Sequence, residues 1–106
     1  MSLDVYLTKD EVEVFSANIT HNLWRMAKKC GMYEALWRPD ETKMLKAKDI
    51  IEDLSDGLAL LKANEAFFRK FDAPNGWGLY ENFVPWVEKY LKACWEHQDA
   101  DIGVSR

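Results

Sequence analysis

The chain has 106 residues, 48% of them hydrophobic, which is enough for a single domain with a real core, because chains of this length bury roughly two-thirds of their unfolded surface. Its 14 Lys and Arg against 18 Asp and Glu leave a net charge of -4, so it lacks the positive field on which general nucleic-acid binding depends. No apolar run approaches the ~20 residues that span a bilayer, and the N-terminal stretch has neither the basic nor the apolar region of a secretory signal, so a cytoplasmic protein with no membrane association is expected.

Residues 3–7 (LDVYL) alternate apolar and polar side chains, and residues 12–19 (VEVFSANI) are β-branched and aromatic, with Thr8, Lys9, Asp10 and Glu11 between them. This pattern predicts a β-hairpin. In its second strand Val12 and Val14 fall on one face and Phe15, Ala17 and Ile19 on the other. Either both faces are covered or a bulge near Phe15 switches the phase.

From Thr20 to Cys30 the apolar residues Leu23, Met26, Ala27 and Cys30 recur at helical spacing, and Gly31 supplies a stop. The next stretch, MYEALW, predicts a short helix ended by Arg38-Pro39, because a residue before proline is pushed out of the helical region. After the polar connector PDETK, residues 47–63 place Ala47, Ile50, Ile51, Leu54, Leu58 and Leu61 within one arc. Asp49, Glu52, Asp53 and Asp56 lie opposite, as a solvated acidic face. Asn64 ends this helix and caps a short one, EAFFRKF.

Pro74, Asn75 and Gly76 mark a turn in DAPNGWG. The last helix, residues 79–97, carries Tyr80, Phe83, Val84, Val87, Leu91 and Cys94 as its core stripe, with a kink or a fresh start expected at Pro85. Ile102 and Val104 have the period of a strand, short enough to be an edge strand rejoining the hairpin. The expected fold is therefore α+β over residues 1–106: a small antiparallel sheet, made of the N-terminal hairpin and a C-terminal edge strand, packed with two longer and several short helices. Cys30 and Cys94 each occupy an apolar stripe and are expected as buried, reduced thiols.

The joint between strand and first helix, ANITHNL, concentrates hydrogen-bonding side chains. Thr20 is placed to cap the helix, and Asn18 to close the strand. His21 projects about 170° from the middle of the apolar stripe, on the side of Arg25 and Lys28. The helix dipole and Arg25 both favour its neutral ring. Asn18, His21 and Asn22, with Arg38 and Asn75 brought in by folding, are the candidate ligand-binding set. No second histidine stands at ligand spacing and no GxSxG, HExxH, P-loop or CxxC is present, so no catalytic class, metal or cofactor is called for.

Five tryptophans in 106 residues exceed what the core stripes absorb. Trp37 beside Arg38, Trp77 beside a glycine-rich turn, and the flank of Trp86 and Tyr90 on the last helix are the candidate partner-binding residues. That flank widens the helix's apolar arc to about 200°, which requires burial by this chain, by a second copy or by another protein.

In order along nearly the whole chain, ANITHNL, YEALWRP, NGWG and the terminal VSR resemble small hypothetical proteins encoded in bacteriophage and bacterial genomes, a group with no assigned activity; Pro85 departs from its pattern. The resemblance implies an intracellular accessory protein. Two functions are carried forward: a non-enzymatic interaction module, working through a protein partner or as a homodimer, and a small ligand-binding protein or enzyme with a pocket around Asn18, His21, Asn22 and Arg38.

Overall fold

The computed structural model describes residues 2–106. Two strands, β1 (Ser2–Lys9) and β2 (Val12–Thr20), form the hairpin. Helices α1 (Trp24–Lys29), α2 (Tyr33–Trp37), α3 (Ile51–Ala63), α4 (Glu65–Phe68) and α5 (Tyr80–Glu96) follow, and β3 (Asp101–Ser105) closes the chain. The sheet order is β2-β1-β3, antiparallel throughout, as an α+β fold. Among the described residues no helix is long and apolar enough to cross a membrane.

Alternation in β1 decides which face of the sheet is covered. Leu3, Val5 and Leu7 are fully buried under the helices, whereas Asp4, Tyr6 and Thr8 between them are only partly covered. Register in β2 shifts between Leu7/Phe15 and Thr8/Glu13, leaving Val14 as the extra residue of a bulge. The bulge is the phase switch that the valine and phenylalanine positions require: Phe15, Ala17 and Ile19 pair with Leu7, Val5 and Leu3 on the core side.

Both sheet edges are occupied in part. The segment before α3 binds beside β3, with Ala47 N–H donating to the Ala100 carbonyl (2.9 Å) and Ile102 N–H to that of Leu45 (3.0 Å). At the β2 edge the Trp86 indole N–H donates to the Asn18 carbonyl (3.0 Å). Unpaired edges invite aggregation, and these contacts blunt them.

The helices begin and stop where local chemistry directs. Thr20 accepts from the Asn22 N–H (3.3 Å) at the start of a single 3-10 turn, His21–Leu23, that leads into α1. Gly31 ends it with φ +82°. Asp49 accepts from the N–H groups of Leu45 and Lys46, so part of the acidic face caps the turn ahead of α3. The Asn64 amide turns back to the Leu60 carbonyl (3.0 Å), closing α3 instead of capping α4. A Cβ on Gly57 would collide with Met32, so glycine there lets α3 approach the loop before α2.

Of the kink or fresh start expected at Pro85, the fresh start is absent: α5 is one continuous helix through Pro85, where a proline near the helix start forfeits only the bond to Glu81 and its ring lies at the surface. Its buried stripe is Tyr80, Phe83, Val87, Tyr90, Ala93 and Cys94, with Leu91 at the margin. Tyr90 is fully buried, stacked on Phe15 with ring centroids 5.7 Å apart. The wide apolar arc is therefore covered on this side by the chain's own β2. Cys30 and Cys94 are buried free thiols, and desolvation pushes them up to about 11 and about 12.

The hairpin turn stores strain. Asp10 and Glu11 both sit at positive φ, 51° and 67°, the geometry of a two-residue turn that normally recruits Asn-Gly. Glu11→Gly should raise the unfolding free energy by about 0.5–1 kcal/mol, since glycine avoids the Cβ penalty of the left-handed region. Urea unfolding followed by circular dichroism measures this, and an unchanged or lowered midpoint would contradict a strained turn.

Candidate functional site

A groove of about 940 Å³ opens where the end of β2 and the 3-10 turn after it face the loop before α5 and that helix's first turns. Asn18, Thr20, His21 and Asn22 line one wall, with Ser2 beside them; Asn75, Trp77, Asn82 and Trp86 line the other. Four of the chain's asparagines converge here, and the fifth, Asn64, is spent on closing α3.

The loop wall is built by short-range hydrogen bonds. Asp72 accepts from the Tyr80 N–H (2.7 Å), capping α5 from across the loop. Ala73 N–H donates to the Gly78 carbonyl, and Gly76 N–H to that of Ala73, both at 3.0 Å. The Asn75 side-chain oxygen accepts from the Trp77 N–H (2.9 Å) as an Asx turn. Gly78 has φ +127°, and a Cβ there would stand 3.0 Å from the Asn22 Cβ, so only glycine lets the loop close onto the facing wall.

Asn22 then ties the walls together, its amide donating to the Trp77 carbonyl (2.7 Å). Trp77 is thus held at its N–H by Asn75 and at its carbonyl by Asn22, while its side chain remains 70% exposed. Trp86 is half-buried, packed on Phe83 and Tyr90, with its N–H already bonded to β2. Asn18 donates its amide to Asp4 across the hairpin.

His21 departs from its expected position outside the core. It is half-buried, and its Nδ1 accepts from the indole N–H of Trp37 (3.1 Å). The Nδ1 lone pair of His21 is thereby occupied. Trp37 itself, expected on a partner surface, is fully buried, stacked on Tyr33 at 5.8 Å and set edge-on to His21. Tyr90 is withdrawn from any partner surface for the same reason: its ring is core, and its hydroxyl has no hydrogen-bond partner among the described residues.

Arg38 does not join the groove. It pairs with Glu41 (2.9 Å) and with the Tyr33 hydroxyl (3.4 Å), which together hold its guanidinium above its ordinary range, the Tyr33 bond being the larger cause. α2 ends at Trp37, and Arg38 leaves it with non-helical backbone angles (φ -134°, ψ 42°), so the buried indole and the guanidinium part ways at the helix end. Arg106 completes that neighbourhood, donating to the Trp37 carbonyl (2.9 Å) and to Asp40 (3.0 Å), whose carboxyl it holds below the usual range.

The structure therefore gathers Asn18, His21, Asn22 and Asn75 with Trp77 and Trp86 in one groove, and separates Arg38, Trp37 and Tyr90 from it. Ser2, Gly78 and Asn82 are groove residues that the sequence reading did not single out. Asn82 stands four residues before Trp86 on the same helix face, a spacing that could have marked it. Comparison with known proteins finds no matching family model, no matching curated protein and no matching solved structure.

Removing the His21 ring orphans the buried Trp37 N–H, so His21→Ala should cost about 1–3 kcal/mol of stability. Denaturant unfolding tests this, and a change within experimental error would show that the Trp37 indole does not depend on His21.

Proposed function

We propose that the chain is a small non-enzymatic recognition module of a bacterial or phage cytoplasm, and that its ligand seats in the groove between residues 18–22 and 75–86. The observation that carries this reading is the state of Trp77: an indole 70% exposed, on a backbone clamped on both sides by carboxamides. A large aromatic side chain fixed in that way is a ready contact surface, since little freedom is lost when something packs on it. Binding is favoured over catalysis because the Nδ1 lone pair of His21 is occupied by Trp37. The groove also joins residues expected for ligand binding with two expected for partner binding, so one surface serves both ideas.

Fragment binding followed in proton–nitrogen correlation spectra tests the location. The Trp77 indole and the side-chain amides of Asn22, Asn75 and Asn82 should shift most. Shifts gathered elsewhere, with these unmoved, would contradict the reading.

A second reading, docking of a protein partner or a second copy, has its own support on another face. Trp95 is 57% exposed and lines a smaller cavity with Leu58 and Leu91, flanked by Glu88, Lys92 and Glu96. For a homodimer, light scattering should show association at high concentration that Trp95→Glu abolishes. A wild type that stays monomeric would remove the homodimer.

A further inference from the structure

The lining of the groove narrows the chemistry of what it can hold. Charged residues make up 30% of the chain, yet among the described residues none of the groove's lining is Asp, Glu, Lys or Arg. From those residues an anionic ligand would meet no cation, and an ammonium ligand no carboxylate. A neutral ligand matches that lining best.

The two clamps on Trp77 also leave defined groups unspent. Asn22 uses one amide hydrogen on the Trp77 carbonyl, which leaves its side-chain oxygen as an acceptor and its second amide hydrogen as a donor. Asn75 uses its oxygen on the Trp77 N–H, which leaves its amide as a donor. The groove thus holds a spare acceptor and a spare donor on the two carboxamides that clamp the Trp77 backbone. Trp86 is the less open of the two indoles, half-buried with its ring stacked on Phe83 and its N–H bonded to β2. A nucleobase gains most from a slot with two stacking walls, and an apolar peptide side chain needs a closed pocket.

We propose that the groove takes a neutral saccharide, stacked by its C–H face on Trp77, with hydroxyls donating to Asn22 and accepting from Asn75. Each sugar hydroxyl is both donor and acceptor, so a polyhydroxylated ring serves the spare acceptor and the spare donor alike. A pyranose presents an apolar face and a hydroxyl rim in the same unit, matching an aromatic platform beside polar groups. The assignment rests on the groove being the binding site, as argued above.

The test is a titration of the full chain, read at the Trp77 indole and the Asn22 and Asn75 side-chain amides, with neutral mono- and oligosaccharides, a uronic acid, an amino sugar, nucleosides and a proline-rich peptide. Neutral saccharides should shift these signals with a Kd of about 1 mM or tighter. Trp77→Ala, which removes a mainly exposed side chain, should weaken binding by about tenfold or more while leaving the backbone spectrum of the sheet unchanged. Asn75→Asp keeps the oxygen that accepts from Trp77 N–H but exchanges the free donor for an anionic acceptor, so it should also weaken binding with the turn intact. Nucleosides or the peptide shifting these signals in place of saccharides would overturn the saccharide and leave the groove as the site. No ligand or fragment shifting them would overturn both.

Discussion

Three consecutive residues at the end of β2 hold three separate parts of the molecule. The Thr20 hydroxyl accepts from the N–H of Asn22 and sets the direction in which the chain leaves the sheet. His21 accepts from the indole of Trp37 and so locks α2 against the joint. Asn22 reaches the Trp77 carbonyl, 55 residues further along the chain, and fixes the loop before α5. Each bond is worth only about 1 kcal/mol in net terms, but the buried indole would cost more if left unpaired. The concentration of polar side chains at this joint follows from that geometry: it is where strand, short helix and loop meet, and each side chain ties one of them, with the Trp37 indole the one bonded group that is buried.

The groove is a by-product of the same closure. Gly78 brings its loop within 3.0 Å of Asn22 at the Cβ position, Trp86 is pinned to the β2 edge, and Asp72 anchors the start of α5. Trp77 cannot then follow its neighbours into the core, because its backbone is held at the rim. The side chains that hold the walls, Asn22 and Asn75, also line the groove, so the support of the walls and the groove's polar lining are in part the same carboxamides. That economy limits mutational tests: changes at Asn22 disturb structure, whereas Trp77 and the amide nitrogen of Asn75 can be altered with the walls in place.

Much of this fold was legible in the sequence because its signals are local. The period-two pattern in residues 3–7, the phase conflict between Val14 and Phe15, the glycine at 31 and the alternation of Ile102 and Val104 correspond to the hairpin, the bulge at Val14, the end of α1 and strand β3. What local pattern cannot show is tertiary. Trp37 and Arg38 are neighbours in sequence, yet α2 ends between them, and the structure buries one and pairs the other with Glu41. Helix periodicity puts Tyr90 on a flank of α5 but cannot say how far β2 wraps around that helix; Phe15 stacks on Tyr90 and buries it. Likewise no local pattern could connect Asn22 with Trp77 or His21 with Trp37, since those pairings depend on tertiary closure.

The central claim is that the joint orders the groove before any ligand arrives. Backbone nitrogen relaxation of the free protein tests it most directly at residues 75–78, the loop that Asn22 holds. Order parameters of about 0.85, equal to those of the strands, are the predicted result. Values below about 0.6 across the loop would contradict the account, since Trp77 would then be a mobile side chain on an untethered turn.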